Sequence, residues 1–410
     1  MRTESANSVI HMTTARKHRK LAVALTAAAV LAGGVGVANA DVIQGTAVTA
    51  NQQSGWNGIV RKQVQIDFGK GWVTKAELTV PAGAKGRLPL VIMLHGSGRN
   101  DMNQTLPDNG GSTFVPLAQG ASREGYATLR FNKRGVTDVG PVESTDPAQL
   151  NPENPYDQIQ QDAASVIRFA AAQPNVDASK IYLLGHSEGT NVAANLASDP
   201  AKYNIPKPAG VIAMGVVGKD IRTLLTLQLY GRLLLQMHDE FDVDADGQLT
   251  AVESTDGLVG LPAEAAEQFR SVLLDPATDA DHDGKIAIDA EAGPVLRAAT
   301  GIDNYPDVPG LEDLKAYVTD IAKFPTVTEA LPTFTGPTLL LNGENDLQTP
   351  ARAALAADAA VAAAGNRDHT IIIYPGMAHT MNITPKFAPE FREPDQRVVT
   401  DIRTWLRSHR

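Results

Sequence analysis

The chain has 410 residues, no cysteine and a formal net charge of −10. Its length permits a large hydrophobic core with an insertion. The lack of cysteine excludes disulfides, thiolate catalysis and thiolate metal sites, and the acidic balance argues against a nucleic-acid partner.

Residues 1–40 read as a secretory signal. Arg16, Lys17, His18, Arg19 and Lys20 precede an apolar run over 21–37, and Ala38-Asn39-Ala40 supplies a small-x-small cleavage pattern. Gly33, Gly34 and Gly36 and the cleavable end fit a membrane anchor, the alternative, less well. Met12 is an alternative start. The expected mature protein is secreted or periplasmic, without a stable membrane span. Removing five cations (Arg2, Arg16, Lys17, Arg19, Lys20) and Glu4 takes its net charge from −10 to −14.

After a polar lead-in over 41–57, Val60, Val64, Ile66 and Phe68 alternate with polar residues, and 72–80 alternates again, which predicts two half-exposed strands. Residues 88–94 are nearly all apolar, as in a parallel strand buried on both faces. Phe114, Leu117, Ala118 and Ala121 recur at helical spacing, Gly125 ends that helix, and 126–131 is the next strand. A helix through Ile159, Ala163, Val166, Ile167 and Ala170, a strand at 181–184, a helix at 190–197 and a strand at 211–217 repeat the alternation. It resumes with strands at 337–341 and 370–374 and a closing helix marked by Val398, Ile402 and Trp405. Such alternation predicts an α/β fold with a doubly wound, mostly parallel sheet. Between 218 and 325 no strand-like run appears. A leucine-rich helix and two acidic segments stand there instead, so the predicted organisation is a core in two parts, 41–217 and 326–410, with an inserted helical cap at 218–325.

Gly185-His186-Ser187-Glu188-Gly189 follows the 181–184 strand and has the pattern of a nucleophile elbow, a strand-to-helix turn tight enough to demand glycine on either side of an exposed serine. In a doubly wound sheet active groups gather at the carboxyl ends of strands. His379 follows the 370–374 strand, whereas His369 precedes it; Asp346 follows the 337–341 strand. Ser187, Asp346 and His379 therefore occur in nucleophile, acid, base order. A serine hydroxyl needs a base to take its proton as it attacks, and the base needs an acid to fix its tautomer. Glu344, in the same turn as Asp346, is the rival acid. Backbone N–H groups of Ser97, in the His95-Gly96-Ser97-Gly98 loop, and of Glu188 are the expected oxyanion donors. His95 reads as a buried brace for its loop.

The elbow, the His-Gly-Ser-Gly loop and Arg-Phe-Asn-Lys-Arg-Gly at 130–135 together resemble the α/β-hydrolase superfamily, and within it bacterial serine esterases, over roughly 58–217 and 326–410. The resemblance implies the α/β-hydrolase fold and acyl chemistry on a small-molecule ester. It does not separate esterase from peptidase or thioesterase. Relatives usually carry aspartate where this chain has Asn132. Arg130, Lys133 and Arg134 read as bracing or solvated residues.

Asp242, Asp244, Asp246, the carbonyl of Gln248 and Glu253 fit the ligand positions of a twelve-residue EF-hand loop, with Gly247 at its turn. Leu249 is placed to pair with a partner loop, and Leu233, Leu234 and Phe241 fit an entering helix. A second segment offers Asp279, Asp281, Asp283 and the carbonyl of Lys285, but its twelfth position is Ala290, with carboxylates displaced to Asp289 and Glu291. It is expected either to close one residue out of register or, as the favoured reading, to be a degraded partner. Calcium is the implied cofactor, structural in role. The leading reading is a secreted serine hydrolase of carboxylic esters working through an acyl-enzyme under a calcium-stabilised cap. The reading from another class is a non-catalytic calcium-binding module on a hydrolase scaffold.

Overall fold

The protein is described as a computed structural model covering residues 56–140 and 155–410. The expected signal, 1–40, lies outside them. Eight strands form one sheet: β1 (Ile59–Gly69), β2 (Trp72–Pro81), β3 (Leu88–Leu94), β4 (Ala127–Phe131), β5 (Val176–His186), β6 (Gly210–Met214), β9 (Thr338–Gly343) and β10 (His369–Tyr374), in the order β1-β2-β4-β3-β5-β6-β9-β10. Strands β1 and β2, and β2 and β4, pair antiparallel; the other neighbours pair parallel. Every residue of β3, β4, β6 and β9 is buried. The apolar runs of β3 and β6 are what burial on both faces requires, while β4 and β9 also bury Thr128, Arg130, Thr338 and Asn342.

Helices cover both faces. α2 (Pro155–Ala171), α3 (Glu188–Ser198) and α11 (Ala351–Ala363) contribute to one core, while α1 (Phe114–Arg123) and α12 (Gln396–Ser408) pack into another across the sheet. The alanine-rich α11 carries little periodic signal, because small residues fill both its buried and exposed faces. Strand β5 begins five residues earlier than its apolar run, and β6 stops at Met214, where Gly215 takes φ +68°.

Strands β6 and β9 pair directly, so what lies between them adds nothing to the main sheet. That stretch holds α4 (Ile221–Thr226), α5 (Arg232–Gln236), α6 (Ala251–Asp256), α7 (Ala263–Leu273), α8 (Gly293–Thr300), α9 (Lys315–Ile321) and, returning to the core, α10 (Val327–Ala330). It also contains two short strands, β7 (Gln248–Thr250) and β8 (Lys285–Ala287), against the expectation that the insertion has none. Three residues are too few for alternation to register. A separate core of Leu233, Met237, Phe241, Leu249, Phe269 and Ile286, among others, holds this part together. Among the described residues no helix is long and apolar enough to cross a membrane.

Candidate active site

Ser187 sits between β5 and α3 with φ 54° and ψ −121°, a left-handed conformation that costs a non-glycine residue about 1–3 kcal/mol. The fold over-determines it. A Cβ on Gly185 would lie 2.1 Å from the Gly189 carbonyl oxygen, and one on Gly189 would lie 2.1 Å from that of Leu94. The Ser187 N–H donates to the Met214 carbonyl at the end of β6, at 2.9 Å.

Asp346, after β9, is 1% exposed, and its Oδ2 accepts from His379 Nδ1 at 2.9 Å. The N–H groups of Gln348 and Thr349 and the Thr349 hydroxyl also donate to it, at 2.8–2.9 Å. Burial pushes its carboxyl up, but the His379 imidazole and these bonds outweigh burial and hold it below the usual range. Glu344 is exposed and accepts from the Gly376 N–H, so geometry favours Asp346 as the acid. Ser187 and His379 face one cavity of about 1720 Å³, which Ser97 and Glu188 also line. No hydrogen bond joins Ser187 to His379 among the described residues; such contacts are often loose without substrate.

Glu188 is the first residue of α3, so its N–H lacks an intrahelical acceptor. Gly96, beside Ser97, is held by its N–H donating to Gln104 Oε1 at 2.8 Å. Gln104 Nε2 then reaches Thr113 at 3.1 Å and His186 Nδ1 at 2.6 Å, and His186 Nε2 lies 3.0 Å from the His379 carbonyl. The main-chain groups at the two ends fix every donor. Gly96 N–H makes Oε1 the acceptor, so Nε2 donates, His186 Nδ1 accepts, and its Nε2–H donates to His379. Burial first, then the neighbouring His379, lower the His186 pKa to about 3, consistent with a neutral ring. Neither Gln104 nor this use of His186 is visible in the sequence, because the partners come from separate loops.

The basic residues in and just after β4 are braces. Arg130 pairs with buried Glu77, and Arg134 forks onto Asp162 at 2.7 and 2.9 Å. Asn132 accepts from the Met102 N–H at 2.7 Å and donates to the Asp138 carbonyl at 3.1 Å, so an amide serves here with both ends. Lys133 Nζ contacts the Gly96 carbonyl at 2.6 Å and Glu188 Oε1 at 2.7 Å. The other oxygen, Oε2, accepts from the Tyr317 hydroxyl of α9 at 2.6 Å. Burial, then the Glu188 charge, raise the Tyr317 hydroxyl well above the ordinary tyrosine range, so it stays a donor. His95 is buried against Phe114 and Phe131, with its pKa lowered to about 3 by burial first and Lys133 second.

In the insertion, β7 and β8 pair antiparallel with Leu249 opposite Ile286, which sets the two acidic loops back to back. Carboxylate oxygens of Asp242, Asp244 and Asp246 lie within 4.8 Å of one another, as do those of Asp279, Asp281 and Asp283. Gly247 and Gly284 share φ of 81° and 87°, and Ala245 and His282 share 58° and 60°. Glu253 accepts from the N–H groups of Val243 and Thr250; Glu291 accepts from those of Ala280 and Ala287. These are matching positions in the two loops. The second therefore closes with Glu291, and a π-helical turn at Ile288–Ala292 absorbs the extra residue. The sequence register puts Ala290 twelfth because it assumes an α-helical exit. Lys285 also reaches across to Asp246 at 3.1 Å.

Residues 91–388 match the Alpha/beta hydrolase family, and the chain belongs to it. Among its relatives, Esterase EstD of Thermotoga maritima is 34% identical over 153 residues, 37% of this chain and 32% of that protein. The match thus spans about a third of that relative's length. Among solved structures, a Bacterial Heroin Esterase is 14% identical with a TM-score of 0.48, covering 87% of this chain and 86% of its own. Est1E from Butyrivibrio proteoclasticus is 15% identical with a TM-score of 0.43, covering 85% and 98%.

Proposed function

We propose that this protein is a serine hydrolase that cleaves carboxylic esters through an acyl-enzyme, with Ser187, Asp346 and His379 as its triad. The observation that carries the reading is the strained Ser187 turn opening onto the same cavity as His379, whose other ring nitrogen is held by buried Asp346. Ser187 Oγ would attack the ester carbonyl carbon while His379 Nε2 takes its proton. The N–H groups of Ser97 and Glu188 would hold the carbonyl oxygen as it becomes an oxyanion. Collapse expels the alcohol, which leaves with the His379 proton; a water, deprotonated by His379, then attacks the acyl group and frees Ser187. The esterase among the relatives favours an oxygen ester over an amide or thioester.

The proposal extends to export, from the pattern at 1–40, and to calcium in the insertion. The donor sets are all hard oxygens: Asp242, Asp244, Asp246, Glu253 and the Gln248 carbonyl in one loop, and Asp279, Asp281, Asp283, Glu291 and the Lys285 carbonyl in the other. Calcium bound there would brace the two loops and the β7–β8 pair, stabilising the folded insertion by mass action.

Hydrolysis of p-nitrophenyl acetate by intact and Ser187→Ala protein tests the catalytic reading. Turnover is expected only with Ser187, together with covalent labelling of that residue by a fluorophosphonate. Equal rates in the two proteins would refute it.

A further inference from the structure

The side chain of Glu188 poses an electrostatic problem that its backbone role creates. Its N–H is placed to stabilise a developing negative charge, yet its own carboxylate is buried at the same helix N-terminus. A bare buried carboxylate beside an oxyanion would oppose the transition state, since like charges repel strongly where water is excluded. The charge is not bare. Lys133, after β4, contacts Oε1 and simultaneously the Gly96 carbonyl of the other oxyanion loop, and Tyr317, from the insertion, donates to Oε2. The lysine and glutamate side chains are 12% and 2% exposed, so solvent screens them little.

We infer that Lys133 and Tyr317 are positioning residues for ester hydrolysis: they neutralise and hold the Glu188 carboxylate, and so keep the two oxyanion donors at Ser97 and Glu188 in register. This rests on the proposed serine-hydrolase reading. Lys133 spans both oxyanion segments, one nitrogen bonded to each. Tyr317 makes the contact reach across the chain, because it belongs to α9 of the insertion, 129 residues beyond Glu188. Formation of the oxyanion site is thereby tied to the seating of α9. Buried Tyr156 on α2 also feels the Glu188 charge and remains an un-ionised neighbour, because burial and Glu188 raise its hydroxyl.

The test compares wild type, Lys133→Met, Lys133→Met with Glu188→Gln, and Tyr317→Phe on p-nitrophenyl acetate, and measures inhibition by a trifluoromethyl ketone that forms a tetrahedral adduct. Losing one oxyanion donor costs about 10²–10³ in kcat. Lys133→Met is expected to approach a 10²-fold loss in kcat with KM within about threefold, and Tyr317→Phe about a tenfold loss, with matching losses of inhibitor affinity. Removing the glutamate charge in the double variant should recover at least about tenfold over Lys133→Met. A folded Lys133→Met with wild-type kcat, or a double variant no better than the single, overturns the inference. If Lys133→Met does not fold, Tyr317→Phe decides: unchanged kcat and inhibitor affinity overturn it, and their parallel loss supports it. Wild type indistinguishable from Ser187→Ala would instead sink the hydrolase reading on which the inference stands.

Discussion

His186 donates through Nε2 to the main-chain carbonyl of His379 at 3.0 Å, so the residue before the candidate nucleophile carries the loop of the candidate base. Its other nitrogen accepts from Gln104, which in turn holds Gly96. Three separate strand-end loops are thus tied by one buried relay. His186→Phe keeps an aromatic ring, slightly larger, and removes both bonds, leaving the Gln104 amide and the His379 carbonyl without those partners. The expected result is a fall of about 10–100-fold in kcat with KM little changed, since small misplacements of reacting groups cost about that much. Steady-state kinetics on a short-chain ester checks it.

The same histidine, with His95, makes the fold acid-sensitive in a defined window. Burial holds both imidazoles neutral in the folded chain, with pKa values of about 3 against the ordinary 6.5. Between those values the unfolded chain binds protons that the fold refuses. Their contribution is therefore complete above pH 6.5 and shrinks as pH falls toward 3, by about 1.4 kcal/mol per unit for each group. Asp346, held low, acts in the same sense only below its ordinary 3.8. Urea unfolding at pH 7 and pH 5 should differ by up to about 4 kcal/mol, and His186→Asn should roughly halve that difference.

Much of the fold and of the candidate site was legible because the signals are local. The apolar run at Leu88–Leu94, the glycines about Ser187 and a carboxylate and a histidine each just after a strand all lie within a few residues of what they specify. The supporting contacts were not, because they join distant segments. Gln104 meets His186 across 82 residues and Lys133 meets Glu188 across 55, and no periodicity encodes such pairs. Strands β7 and β8 escaped because three residues cannot alternate convincingly. Arg130 and Arg134 read as bracing or solvated residues, and they are buried braces whose partners, Glu77 and Asp162, lie too far along the chain to be named from the sequence.

The elbow glycines are predicted to tolerate no side chain. Gly189→Ala would put a Cβ 2.1 Å from the Leu94 carbonyl oxygen and 2.8 Å from that of His95, main-chain atoms of β3 and of the loop that follows it. Neither can rotate away as a side chain would. Overpacking of this kind costs about 1–3 kcal/mol or more, and here it also displaces Ser97. Thermal unfolding should show a clear loss of stability, and fluorophosphonate labelling of Ser187 should slow by at least about tenfold. Gly231→Ala meets nothing nearer than the Leu227 side chain at 3.3 Å and should leave labelling near wild type.

The two acidic loops give the sharpest contrast between register and geometry. Counting residues makes Asp289 and Glu291 equal candidates to close the second loop, one on each side of Ala290. The structure separates them: Glu291 accepts from the Ala280 and Ala287 N–H groups as Glu253 does from Val243 and Thr250, while Asp289 turns outward to His238 at 3.1 Å. If the loops hold calcium, Glu291 should supply the two-oxygen ligand that a calcium loop needs at its end. Calorimetric titration of metal-stripped protein is then expected to give two ions per chain for wild type and for Asp289→Ala, and one for Glu291→Ala. Glu253→Ala should remove the other. Calcium should also raise the melting temperature of wild type more than that of Glu291→Ala, because each ion bound only to the folded state adds its own mass-action term. Two ions in Glu291→Ala, or one in Asp289→Ala, would show that the π-turn at Ile288–Ala292 does not set the ligand register.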